Sequence, residues 1–184
     1  PRYRQEAIAP IQNKLGALLA DPRLYRIFVR PEIDLSLRRA MDERQILIVN
    51  LSKGELGEDS ANVLGAILVT TFGLAAMSRA DVAVDQRPDF FLYVDEFQNF
   101  TTLSVANMVS ELRKYGIGLV LAHQHLFQLA PEVQHAILGN IGSIISFRLG
   151  VEDAQLLQRE FAPYFAWDDL TQLHNHDIYV KMMI

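Results

Sequence analysis

Residues 90–100 read FFLYVDEFQNF, an apolar run from Phe90 to Val94 that stops at the acid pair Asp95-Glu96. Such a run, without polar alternation, predicts a strand buried in a sheet. Similar runs lie on either side of it. Gln45 to Leu51 (QILIVNL) precedes it, and Gly118 to Ala122 (GLVLA) comes after, ending at His123-Gln124. Ser143 to Leu149 (SIISFRL) and Ile178 to Met183 predict a fourth and a fifth strand.

Helical patterns separate these runs. Ser60 to Ala80 carries Arg79 as its one charge, and Ala61 to Met77 is mostly apolar. That length is near the lower limit for a membrane span. Its position between strand-like runs, with Asn62, Thr70, Thr71, Gly65 and Gly73 inside it, predicts a helix buried beside a sheet instead. Thr102 to Tyr115 predicts a helix with Gly116 as its stop, and Pro131 to Leu138 and Asp153 to Phe161 predict two more. Towards the start, Ile8, Ile11, Leu15, Leu18 and Leu19 recur at helical spacing until Asp21-Pro22. Leu24 to Pro31 reads as a short extended or irregular link, and Asp34 as the N-cap of a helix through about Met41.

Strands alternating with helices predict an α/β fold: a mainly parallel sheet of about five strands with helices on both faces. In such sheets ligands bind beyond the carboxyl ends of the strands. Three runs end in polar residues there: Asn50 and Ser52, Asp95 and Glu96, His123 and Gln124. One carboxylate can hold a hydrated Mg²⁺, and a second can orient and deprotonate an attacking water. An amide at Gln124 can hold that water or a γ-phosphate. The competing reading of Asp95-Glu96 is a solvated acidic turn, and His123 and His125 suit ordinary polar packing. Arg113, near the end of its helix, suits either the helix dipole or an arginine finger acting on a neighbouring subunit. Arg148 is a second basic candidate.

The negatives are also informative. None of the ten glycines is followed by lysine, so no G-x-x-x-x-G-K-[ST] phosphate loop exists in this stretch. Ser52-Lys53-Gly54 has the wrong order for one. His174-Asn-His176-Asp177 has a spacing that does not put both histidines on one helical face, and it is not read as a metal site. The net charge of −5 over 184 residues is not that of a protein that coats nucleic acid, so contact with DNA would fall to a local loop or channel. With half its residues hydrophobic and 21% charged, the chain suits one domain with a sizeable core. It has no cysteine, which excludes disulfides and thiolate metal sites and fits a reducing compartment. The chain opens at Pro1 without an initiator methionine or signal peptide, and it reads as part of a larger polypeptide.

Four segments occurring in order carry a family resemblance: ILIVNLSKGEL, FFLYVDEFQNF, SELRKYGIGLVLAHQ and GNIGSIISFRLGVEDAQLL. They resemble the C-terminal half of the motor domain in the FtsK–HerA superfamily of P-loop ATPases. The likeness is strongest to HerA-type translocases and to the coupling proteins of conjugation and type IV secretion. It implies a RecA-like core over residues 45–184 that lacks the phosphate-binding loop, led in by a helical segment over residues 1–44. It also implies ATP and Mg²⁺ as cofactors, with Asp95 as the Mg²⁺-associated acid, Glu96 as the catalytic glutamate and Gln124 as the sensor glutamine. Arg113 falls where related motors carry a finger acting across the subunit boundary. The family implies a homo-hexameric ring that moves DNA, in the cytoplasm, with any membrane anchor or contact with secretion machinery supplied outside this stretch. The missing phosphate loop departs from the pattern. In the family that loop lies upstream, so either it precedes Pro1 in the parent protein or this is a degenerate paralogue, an ATPase fold serving as a scaffold. A third reading is a different α/β hydrolase or nucleotide-binding protein using Asp95 and Glu96.

Overall fold

The structure is a computed structural model, and it describes residues 8–9, 16, 19–29, 35–101 and 103–183. Ile8 and Leu19 are helical, whereas Ile11, Leu15, Leu18 and the N-cap expected at Asp34 lie outside the described residues. Asp21-Pro22 does interrupt the chain, but the next element is helix α1 (Pro22–Val29), not an extended link. Proline at the first helical position gives up an N–H that no helix would use, so it starts this helix as readily as it ends the one before. Helix α2 (Leu37–Asp42) opens at Ser36, whose Oγ accepts the Arg39 N–H at 3.2 Å.

A single turn, α3 (Lys53–Leu56), leads into the long helix α4 (Glu58–Met77). Together with the 3₁₀ turn at its end, α4 is long and apolar enough to cross a membrane by length and composition. Here it buries a stripe of Ala61, Leu64, Gly65, Phe72, Gly73 and Ala76, at the spacing of one helix face. Two glycines make that contact close. A methyl at Gly65 would overlap the Phe100 ring, and one at Gly73 would overlap the Met108 sulfur.

Strand β1 (Phe90–Val94), helix α5 (Leu103–Leu112) and strand β2 (Ile117–Leu121) form the central unit. The two strands pair in parallel, from Phe90 opposite Ile117 to Val94 opposite Leu121. Between them α5 runs into a 3₁₀ turn, Arg113–Tyr115, and ends at Gly116, whose φ of 74° is the left-handed conformation that glycine adopts without strain. Helix α6 (Pro131–Leu138) then leads to β3 (Ile144–Ser146), α7 (Val151–Phe161), α8 (Trp167–Gln172) and β4 (Tyr179–Lys181), with β4 antiparallel to β3.

The core has two main parts. Phe72 and Ala76 of α4 meet Met108, Leu112 and Ile117, while Val94 and Phe97 join Leu126, Val133, Ile137, Ile144, Leu157 and Phe161. Helix and strand do mix as an α/β protein should. The sheet of about five strands with two covered faces does not form among the described residues. They hold one parallel pair and one antiparallel pair. Gln45 to Leu51 is unpaired, with Ile46 92% and Ile48 88% exposed. Phe91, Tyr93, Val120 and Ile145 are exposed as well, so one face of the strands is open. An apolar run without alternation needs cover on both sides to be buried. Here the described helices supply one.

Candidate functional site

The carboxyl ends of β1 and β2 are held flush by two bonds beyond the strands. Ala122 N–H donates to Val94 O at 3.0 Å, and Phe97 N–H donates to Ala122 O at 3.1 Å. This brings the turn that carries Asp95-Glu96 alongside the segment that carries His123-Gln124. Phe97, 2% exposed, anchors the first turn in the core, and its ring meets the His123 imidazole edge-on at 5.1 Å.

Glu96 sits in that turn at φ 49° and ψ 41°. A non-glycine residue in the left-handed region carries a cost of about 1–2 kcal/mol, and such residues cluster at functional sites. Part of what holds the backbone there is Asp95, whose Oδ1 accepts the Glu96 N–H at 2.9 Å. The Glu96 side chain is gripped from two directions. Gln124 Nε2 donates to Oε1 at 2.5 Å, and Gln98 Nε2 donates to Oε2 at 2.6 Å. Each carboxylate oxygen keeps a second acceptor position for another donor, such as a water.

The loop after Gln124 is fixed from a distance. Asp153, in the first turn of α7 and almost fully buried, accepts the N–H groups of Leu126 and Phe127 at 3.1 and 2.9 Å. Gln134 Nε2 donates to the carbonyls of Leu126 and Leu129. His125 Nδ1 lies 3.9 Å from the same Asp153 carboxylate. His123 is half-buried with its Nδ1 enclosed and without a hydrogen-bond partner. Burial pushes its pKa below the ordinary histidine value. The negative charges of Asp153 and Glu96 oppose that shift, and His125 adds slightly to it.

The other expected residues stand apart from this cluster. Asn50 Oδ1 accepts the Ser52 N–H, and this loop reaches the acid turn through Lys53, whose Nζ donates to Asn99 Oδ1 at 3.3 Å and to Glu58 Oε1 at 2.9 Å. Arg113 is exposed at the amino end of β2, a strand's length of about 16 Å from the Gln124 end. Arg148 is exposed just past β3. Among the described residues neither arginine pairs with Glu96. A cleft of about 530 Å³ runs between residues 44–49 and 89–93 without reaching Glu96, and a void of about 20 Å³ lined by Val69, Leu92 and Met108 is enclosed in the core.

Sequence reasoning did not single out Gln98 or Asp153. Gln98 lies two residues after Glu96, and only the left-handed turn aims it back at the carboxylate. Asp153 acts on residues 26 and 27 positions earlier, a contact that no local pattern announces.

The donor set can be tested against a magnesium nucleotide. Asp95 is exposed and spends one oxygen on the Glu96 N–H. Its second oxygen suits a metal that takes one or two carboxylates and draws its remaining ligands from water and phosphate. The carboxylates therefore fit the metal side of such a group, while a cradle of backbone N–H groups for the phosphates is not encoded in this stretch. Comparison of the chain with family models, with curated proteins and with solved structures finds no match.

Proposed function

We propose that this chain is the hydrolytic half of an ATP-driven motor of the FtsK–HerA type, which moves DNA, with its phosphate cradle supplied by another segment of the parent polypeptide. The observation that carries this reading is the Glu96 carboxylate, strained at the end of one parallel strand and bonded to Gln124 at the end of the next. An acid pair in a merely solvated turn has no need of a left-handed glutamate gripped by amides.

In this reading Asp95 would hold the Mg²⁺, which when bound would neutralise part of the phosphate charge and leave the phosphorus open to attack. Glu96 accepts a proton from the attacking water at a carboxylate oxygen. Gln124 fixes that oxygen and can exchange its bond for one to the γ-phosphate, so that the strand end senses which nucleotide is present. Arg113, on the far side of its own sheet, acts on the nucleotide of a neighbouring subunit in a hexameric ring. DNA contact falls to loops of the ring away from this cluster.

The test is Glu96→Gln in the full-length polypeptide. Hydrolysis should be abolished while Mg–ATP binding is largely kept. Turnover at the wild-type rate would remove Glu96 from the mechanism and end this reading.

A further inference from the structure

Glu96 has two carboxylate oxygens, and Gln124 accounts for only one of them. Left with that single bond, the carboxylate would be free to rotate about its last torsion, which is broad and soft for glutamate. Such freedom matters for a base that must meet a water in one direction, since a misplacement of about 1 Å can cost about 10²-fold in rate.

Gln98 removes the freedom. Its Nε2 lies 2.6 Å from Oε2, the oxygen that Gln124 does not touch. Gln98 belongs to the 3₁₀ turn Phe97–Asn99, and that turn is itself immobilised by Phe97 in the core and by the Phe97 N–H bond to Ala122. Its other amide atom, Oε1, is enclosed and has no hydrogen-bond partner. An amide whose carbonyl gains nothing from burial is being kept in place for its N–H. Flipping it would set a carbonyl oxygen against a carboxylate, so the orientation is fixed by chemistry.

We infer that Gln98 is a positioning residue for Glu96: with Gln124 it forms a two-sided amide clamp that fixes the plane of the carboxylate. This rests on the reading of Glu96 as the catalytic base. The amides come from different places, Gln98 from the turn that carries Glu96 and Gln124 from the neighbouring strand. When Gln124 turns towards a phosphate, Gln98 keeps Glu96 in register, so sensing does not disarm the base.

The experiment compares Gln98→Met, which keeps the volume and removes the donor, with Gln98→Glu, which keeps the shape and replaces donor by acceptor. Both are measured in the full-length polypeptide beside Glu96→Gln. Either variant should lower kcat by about 10²-fold with KM for ATP unchanged. Gln98→Met should keep the wild-type melting temperature, whereas Gln98→Glu, which sets two carboxylates against each other, should lower it. A role confined to packing would move the melting temperature of Gln98→Met and leave kcat in place. Wild-type kcat in Gln98→Met or Gln98→Glu, with Glu96→Gln inactive, would overturn the clamp while leaving Glu96 as base. An active Glu96→Gln would overturn both. Should the methionine variant fail to fold, Gln98→Glu alone decides between the first two outcomes.

Discussion

Gln124 Nε2 and Glu96 Oε1 meet at 2.5 Å although 28 residues separate them, because Val94 and Leu121 are partners in a parallel ladder that continues through Ala122 into the turn. The contact comes at a local cost, since Glu96 must adopt a left-handed backbone to reach it. That cost is measurable. Glu96→Ala and Glu96→Gly both delete the carboxylate and both its bonds, so they differ in backbone preference alone. Elsewhere alanine is the more stabilising of the two. At φ 49° the order should invert, with Glu96→Gly more stable than Glu96→Ala by about 1 kcal/mol in urea unfolding. Equal midpoints, or a more stable alanine variant, would show that Glu96 is not held in the left-handed region.

At the opposite end of the strands a buried cation ties the scaffold together. Arg79 is fully buried, donates to Tyr115 O at 2.9 Å and Pro88 O at 2.6 Å, and stands 3.0 Å from Asp42 Oδ1 as an ion pair out of hydrogen-bond alignment. It thus joins the end of α4 to the starts of β1 and β2. Arg79→Met leaves two carbonyls and part of a carboxylate uncompensated and should destabilise by about 3–5 kcal/mol. Arg38, which bonds the other Asp42 oxygen nearer the surface, should cost only about 1 kcal/mol on the same change. Similar losses for the two in chemical denaturation would refute the distinction.

How much of this could be read from the sequence depends on the range of the interaction. Phe90 to Val94 and Pro131 to Leu138 form a strand and a helix with the bounds that their patterns predict, because apolar runs and an N-terminal proline are local signals. The burial expected of the strand fails at Phe91 and Tyr93, which are exposed. Asp95, Glu96 and Gln124 were legible as a group because parallel strands bring their carboxyl ends to one side. Gln45 to Leu51 shows the limit. Its composition is that of a buried strand, yet burial depends on what lies against it, and Ile46 and Ile48 are exposed. The grip of Gln98 on Glu96 was illegible for a related reason, since it depends on one backbone angle that sequence preference argues against.

The glycines of α4 give a sharper packing test. Replacing glycine by alanine inside a helix ordinarily stabilises by about 1 kcal/mol. At Gly65 the new methyl meets a Phe100 ring wedged between α4 and the acid turn, which a rigid side chain cannot vacate. Gly65→Ala should therefore destabilise by about 1–3 kcal/mol. Gly73→Ala meets the flexible end of Met108 and should cost clearly less. Pairing Gly65→Ala with Phe100→Leu should recover part of the loss. If Gly65→Ala melts at or above the wild-type temperature, α4 does not approach the turn this closely.

His123 links the site to pH. Its pKa lies below the ordinary value of about 6.5, chiefly because the ring is partly buried beside Phe97. The charged groups facing it are Asp153 and Glu96, which favour protonation, and His125, which opposes it. The folded state therefore binds this proton less readily than the unfolded chain. Between the folded value and about 6.5 the unfolded chain holds more protons, so stability rises with pH across that window. The contribution is complete above about 6.5 and is lost as pH falls through the window towards the folded value. Its size stays well under the ceiling of about 1.4 kcal/mol per pH unit, because the ring is not fully enclosed and solvent screens it. His123→Gln, which cannot take the proton, should flatten the fall of melting temperature as pH drops below about 6.5 relative to wild type. Parallel profiles for the two proteins would mean that the imidazole is as well solvated in the folded chain as in the unfolded one, against its partial burial beside Phe97.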